Sequence, residues 1–222
     1  MSFVLELSHL FEDNRNEINA KAMQAYMKNK FDFFGIKSPV RKHILKDVVN
    51  SKKDEVISKT ETVTKALYEK PQREFHYCAM EIYSRFKKRN YIETDLNFIT
   101  YLITTHSHWD SVDFIAKHIL GQYLLELPEK KDATIETFSK SDNMWLNRSA
   151  ILFQLGYKDK TDADLLFSLC ENHKHSDAFF IKKAIGWVLR EYAKTNSKAV
   201  IEFVKSNNLK PLSEKEALKH FK

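Results

Sequence analysis

Four stretches of this chain repeat one pattern at a spacing of 34 to 36 residues. Each opens on an aromatic residue and continues as an amphipathic run: FHYCAMEIY from Phe75, WDSVDFIAKHIL from Trp109, WLNRSAILFQL from Trp145 and FIKKAIGWVL from Phe180. That period belongs to stacked helix pairs, which bury their apolar faces against their neighbours and leave a concave surface for a long ligand. The remaining sequence agrees with helix. Glycine and proline number four each in 222 residues, too few turn-formers for a sheet-rich fold of this length. Apolar residues recur at three- and four-residue intervals in VLELSHLF, AMEIYSRF, LLFSLC and AVIEFV, as in a helix with one buried face. Pro39 after Ser38 and Pro71 after Lys70 suit first helical turns. Thr94, Thr161 and Ser213 are the expected N-caps, with Ser213 and Glu216 at capping-box spacing. The expected architecture is all-α, a helical-repeat solenoid in which residues 1–222 form a single domain.

The repeat register isolates one residue. Four positions after each opening aromatic stand Ala79, Asp113, Ser149 and Ala184. Three are small, as close helix packing wants, and one is a carboxylate. A helix macrodipole accounts for Asp110, which has capping-box spacing from Ser107, but accounts poorly for Asp113, placed beyond the first turn. Trp109, one turn before Asp113, shares its helical face. A further helix carries Lys183, Trp187, Arg190 and Lys194 as a stripe, with Ile181, Ile185, Val188 and Tyr192 on the opposite, core-facing side. Cations interleaved with an indole suit a groove that tracks phosphates while the ring packs on sugars or bases. The plain alternative for Trp187 is a packing role. Arg148 adds a candidate phosphate contact.

Net charge is +6, which favours a polyanionic partner through counterion release. No apolar run approaches the roughly 20 residues that span a bilayer, and the opening residues lack a basic n-region and a small-residue cleavage site, so neither membrane insertion nor secretion is expected. Cys78 and Cys170 match no CxxC spacing and read as buried thiols of a cytoplasmic protein. His106, His108 and Asp110 could together ligate a metal, but the motif is short and a capping loop is the preferred reading, so no metal and no cofactor is expected. No GxSxG is present, and neither cysteine has a basic motif beside it, which removes support for nucleophilic catalysis by serine or cysteine.

YMKNKFDFFGIKSP (26–39), HWDSVD (108–113), WLNRSAILFQLGYK (145–158) and AIGWVLREYAKTN (184–196) resemble the AlkD branch of the DNA alkylation repair glycosylases. The resemblance runs from about Tyr26 to the C-terminal LSEKEALKHFK. It implies a curved stack of HEAT-like repeats with a concave basic face that holds duplex DNA. It also implies hydrolysis of the N-glycosidic bond of cationic lesions, chiefly 3-methyladenine and 7-methylguanine. By motif position Asp113 matches the catalytic carboxylate, Trp109 and Trp187 the aromatic pair flanking the lesion's deoxyribose, and Arg148 a backbone-binding arginine. Tyr26, Ser38, Lys42 and Arg190 fall at or near further DNA-contact positions, and Lys183 and Lys194 extend them along the stripe. His108 departs from relatives that carry a second tryptophan there. The expected partner is double-stranded DNA with alkylated bases, met by a monomer in a bacterial cytoplasm. The alternative is a non-catalytic HEAT-repeat binder of damaged or distorted DNA; a protein-interaction scaffold, the common use of helical repeats, ranks third.

Overall fold

The computed structural model describes residues 1–221. Among these every regular element is a helix, and the only pairing of extended backbone is a lone parallel bridge between Asp32 and Gln72. The all-α expectation holds. The chain forms two compact units, Met1–Asn90 and Tyr91–Lys222.

The aromatic residues that open each repeat fall in first helical turns. Phe75 is the third residue of Arg73–Lys87, Trp109 opens Trp109–Phe114, Trp145 is second in Met144–Leu152 and Phe180 second in Phe179–Tyr192. The small residues of the register, Ala79, Ser149 and Ala184, are fully buried. Within the second unit the Met144–Leu152 helix packs against Trp109–Phe114 on one side and Phe179–Tyr192 on the other, so consecutive repeats are neighbours there. The core side expected for Phe179–Tyr192 is found: Ile181, Ile185 and Val188 are buried, and Tyr192 packs partly buried against the same apolar cluster.

The helix ends differ in detail from the sequence reading. Asn143 and Asp162 are the side-chain caps of this unit's helices at 144 and 163, accepting from the Trp145 and Leu165 amides. Asp162 therefore takes the role assigned to its neighbour Thr161. Thr94 stands at the start of Asp95–Thr104 but its hydroxyl makes no cap bond. Ser213 is not a cap at all: it lies inside Pro211–Ala217, buried, and donates to the Lys182 carbonyl at 3.0 Å. His108, not Ser107, precedes the helix at Trp109, and the Ser107 hydroxyl donates back to Ile103. At 161 a competing neighbour, Asp162, took the cap bond, and at 213 a tertiary acceptor, the Lys182 carbonyl, took the hydroxyl.

The helix that starts at Trp109 does not stop at Phe114. It widens into π-helical turns over Ile115–Leu120 and continues as Gly121–Glu126. A π segment accommodates an extra residue, and such turns recur beside functional sites. Here it begins two residues after Asp113 and keeps Ile115, Ala116, Ile119 and Leu120 fully buried.

Candidate functional site

Asp113 sits on the first turns of the Trp109–Phe114 helix with its side chain only 15% exposed. A carboxylate so placed needs a partner, because removing a charge from water is costly unless it is paired. The partner is Arg148, from the neighbouring Met144–Leu152 helix. Its Nε donates to Oδ1 at 2.7 Å and its Nη2 to Oδ2 at 2.9 Å, the two-pronged geometry that suits a planar guanidinium to a carboxylate. The remaining nitrogen, Nη1, donates to the Phe180 carbonyl. One ion pair thus ties together three successive repeats at Asp113, Arg148 and Phe180. The register explains the meeting: Arg148 is one residue before Ser149, the position equivalent to Asp113.

Burial is the larger influence on Asp113 and pushes its pKa above the ordinary carboxylate value; Arg148 pulls the other way, and Asp110 adds a small upward push. The arginine is itself buried, with 5% of its side chain exposed. All of its hydrogen-bonding directions described above point inward, so the structure places Arg148 as the counter-ion of Asp113.

Around this pair lies a pocket of about 360 Å³ lined by Trp109, Asp113, Arg148, Phe179, Phe180, Lys183, Trp187, Arg190 and Glu216. The three residues expected at the centre, Asp113, Trp109 and Trp187, are therefore brought together. Trp187 does two things at once, since it is partly buried against the apolar core while reaching the pocket. The His108 ring lies 6.0 Å from Trp145 and 5.7 Å from Phe180, edge-on to both. It is 5% exposed and packs among aromatics at the residue preceding the Trp109 helix, the capping-loop position that the sequence reading preferred to a metal ligand. Among the described residues no three His, Cys, Asp or Glu side chains converge to hold a metal ion.

The basic stripe divides. Lys183 and Arg190 line the pocket and both are held by Glu216: Lys183 Nζ to Oε1 at 2.8 Å and Arg190 Nη1 to Oε2 at 2.6 Å. Lys194 turns instead to Glu191 at 2.6 Å, beside a separate cavity with Lys158 and Tyr192. Tyr26, Ser38 and Lys42 belong to the first unit and are exposed there. Tyr26 ends the Glu17–Tyr26 helix, while Ser38 opens Ser38–Ser51 and Lys42 follows one turn later.

Sequence reasoning missed Phe179, Phe180 and Glu216. Phe180 was visible as the aromatic opening of the fourth repeat, and Phe179 stands directly before it. Glu216 had been given only a capping role, and nothing local reveals that it faces a helix some 30 residues earlier. Its place depends on Gly186. A Cβ there would lie 2.5 Å from Glu216 Cβ and 2.7 Å from the Ser213 carbonyl oxygen, so only glycine lets the Pro211–Ala217 helix settle this closely on Phe179–Tyr192.

Residues 7–221 match the family described as "DNA alkylation repair enzyme". Among solved structures, a predicted DNA alkylation repair enzyme from Enterococcus faecalis is 32% identical, with a TM-score of 0.83 over 93% of this chain and 96% of that one. The smu.31 protein of Streptococcus mutans shares the fold at 14% identity and a TM-score of 0.58, over 81% of this chain and 96% of the other. No functionally curated protein gives a significant match.

Proposed function

Since the chain belongs to the DNA alkylation repair enzyme family, we propose that it is a DNA glycosylase that hydrolyses the N-glycosidic bond of cationic alkylated purines, 3-methyladenine and 7-methylguanine, in duplex DNA. The observation that carries this reading is a mostly buried carboxylate, Asp113, opening into a pocket that Trp109 and Trp187 also line.

Methylation at purine N3 or N7 places a positive charge on the base, which then departs neutral. No acid is needed to protonate the leaving group, so the second carboxylate of an ordinary glycosidase is dispensable. What remains is to stabilise an oxocarbenium-like sugar and to position water. Asp113 supplies negative charge in a partly dry setting, where it acts more strongly than in water. Arg148 opposes the upward push that burial gives this carboxyl and fixes its orientation. The indole faces of Trp109 and Trp187 favour the developing cation through their quadrupoles. Lys183 and Arg190, with Tyr26, Ser38, Lys42 and Lys194, are the proposed contacts to the sugar–phosphate backbone. In this reading the chain acts as a monomer, a single HEAT-like repeat domain whose concave basic face takes the duplex, in the cytoplasm of a bacterium. No helix among the described residues is long and apolar enough to cross a membrane.

The test is release of free base from duplex DNA carrying 7-methylguanine, followed by chromatography. Wild-type protein is expected to release it, and Asp113→Asn to lose about 100- to 1000-fold in rate, as for the loss of one electrostatic group, while still binding duplex. Equal release by both would end the assignment of Asp113. A second reading, a binder of damaged DNA without catalysis, is favoured by the commitment of both Asp113 oxygens to Arg148. It predicts release by neither protein together with salt-dependent binding by both.

A further inference from the structure

Every strong cation of the pocket is already spoken for. Arg148 belongs to Asp113, and the two that remain, Lys183 and Arg190, converge on one carboxylate that comes from a different helix. Glu216 does not brush past them. Each of its oxygens takes one cation, at 2.8 and 2.6 Å, and the Arg190 guanidinium also reaches the Glu216 carbonyl at 3.3 Å. The helix that carries it is seated by Gly186, and by the Ser213 hydroxyl on the Lys182 carbonyl. Two oxygens of one anion bridging an ammonium and a guanidinium, with Trp187 between them in sequence, is the arrangement a phosphodiester would make with the same pair.

We infer that Glu216 is the counter-ion a DNA phosphate has to displace from Lys183 and Arg190, and that it thereby limits how tightly the protein holds undamaged duplex. The inference rests on the DNA-directed reading of the pocket and adds the group that sets its affinity. The carboxylate is strongly ionised, held down to about 2 by its bonds from Lys183 and Arg190, so the competition persists at every pH where DNA is intact. When phosphate takes the two cations, the released carboxylate recovers a small cation from solution. That uptake, at most about one cation, offsets part of the counterion release from DNA. Non-specific affinity is lowered, and with it the fraction of protein idling on sound sequence.

The measurement is binding of a fluorescein-labelled undamaged duplex by the full chain across a series of NaCl concentrations, for wild type and Glu216→Gln. With no carboxylate to re-solvate, the variant is expected to bind tighter, and its log affinity to fall more steeply with log salt by up to about 0.9, the contribution of one phosphate's counterion. The ratio of the two affinities then grows by up to about 8-fold for each tenfold dilution of salt. Equal slopes, or weaker binding by a folded variant, overturn the inference while leaving the DNA reading intact. Salt-insensitive binding by the wild type overturns both. If Glu216→Gln lacks helical circular dichroism, Glu216→Ala carries the same expectation, and failure of both to fold would make Glu216 a structural residue and refute the proposal.

Discussion

Replacing Arg148 by glutamine removes the partner of a carboxylate that is only 15% exposed and leaves the charge behind. The size of the effect follows from that exposure. Breaking a buried ion pair from one side costs about 3–5 kcal/mol, because an uncompensated charge stays in the interior; exposed pairs are worth about 1 kcal/mol or less. Asp113 retains some contact with water, and glutamine can still donate one hydrogen bond, so the low end, about 3 kcal/mol, is expected. For a chain of this size that corresponds to a fall in Tm of about 6–12 °C. The loss also depends on pH. Without Arg148 the only strong influence left on Asp113 is burial, which raises its folded pKa further above the unfolded value of about 3.9. A carboxyl with a raised folded pKa stabilises fully below the unfolded value and loses that contribution as pH climbs through the folded one. Arg148→Gln is therefore expected to lose most stability at neutral pH and to recover part of it on acidification. Urea denaturation of wild type and variant at several pH values measures this. A neutral-pH loss below about 1 kcal/mol, in the range of surface pairs, or a deficit that widens toward acid, would refute the reasoning.

Three further outcomes are expected. Base release by the wild type should fall on acidification through a pKa above that of an ordinary aspartate, since burial raises Asp113 and the protonated form no longer stabilises a sugar cation; a pH–rate profile under single turnover locates the limb, and one at the ordinary value would contradict a buried functional carboxylate. Gly186→Ala should destabilise by about 1–3 kcal/mol, the usual cost of overpacking, because its Cβ would lie 2.5 Å from that of Glu216; it should also loosen the Lys183 and Arg190 contacts, read as a change in the salt dependence of DNA binding. Asn143→Ala should cost about 1 kcal/mol through loss of the cap on the helix that delivers Arg148, seen as a lower urea midpoint with an unchanged slope.

How much of this was legible beforehand depended on whether a residue's role was local. Helical periodicity and the spacing of Phe75, Trp109, Trp145 and Phe180 are properties of neighbouring residues, and they were enough to mark all-helical structure and to place those aromatics in first turns. The same register singled out Asp113, because a carboxylate among small residues is improbable in a packed helix face unless something compensates it. The stripe on Phe179–Tyr192 likewise followed from the 3.6-residue turn, and it put Lys183, Trp187 and Arg190 on one side. Caps were read less well: Thr161 lost to Asp162, and Ser213 spent its hydroxyl on a carbonyl of another helix. Which of several nearby polar groups wins is decided by fractions of a turn.

Spacing along the chain was enough for the helical class, the register of the four aromatic-led helices, and the faces on which Asp113, Trp109 and Trp187 would lie, since backbone geometry maps spacing onto direction. Partnership came from tertiary contacts. Arg148 became the counter-ion of Asp113 and not a surface cation, Lys194 turned away to Glu191, and Glu216 arrived from the Pro211–Ala217 helix to claim Lys183 and Arg190. Ion pairs of this kind are set by how closely two helices approach, here by the missing side chain at Gly186, and Coulomb energy in a half-dry pocket changes steeply over the ångströms that a sequence does not record.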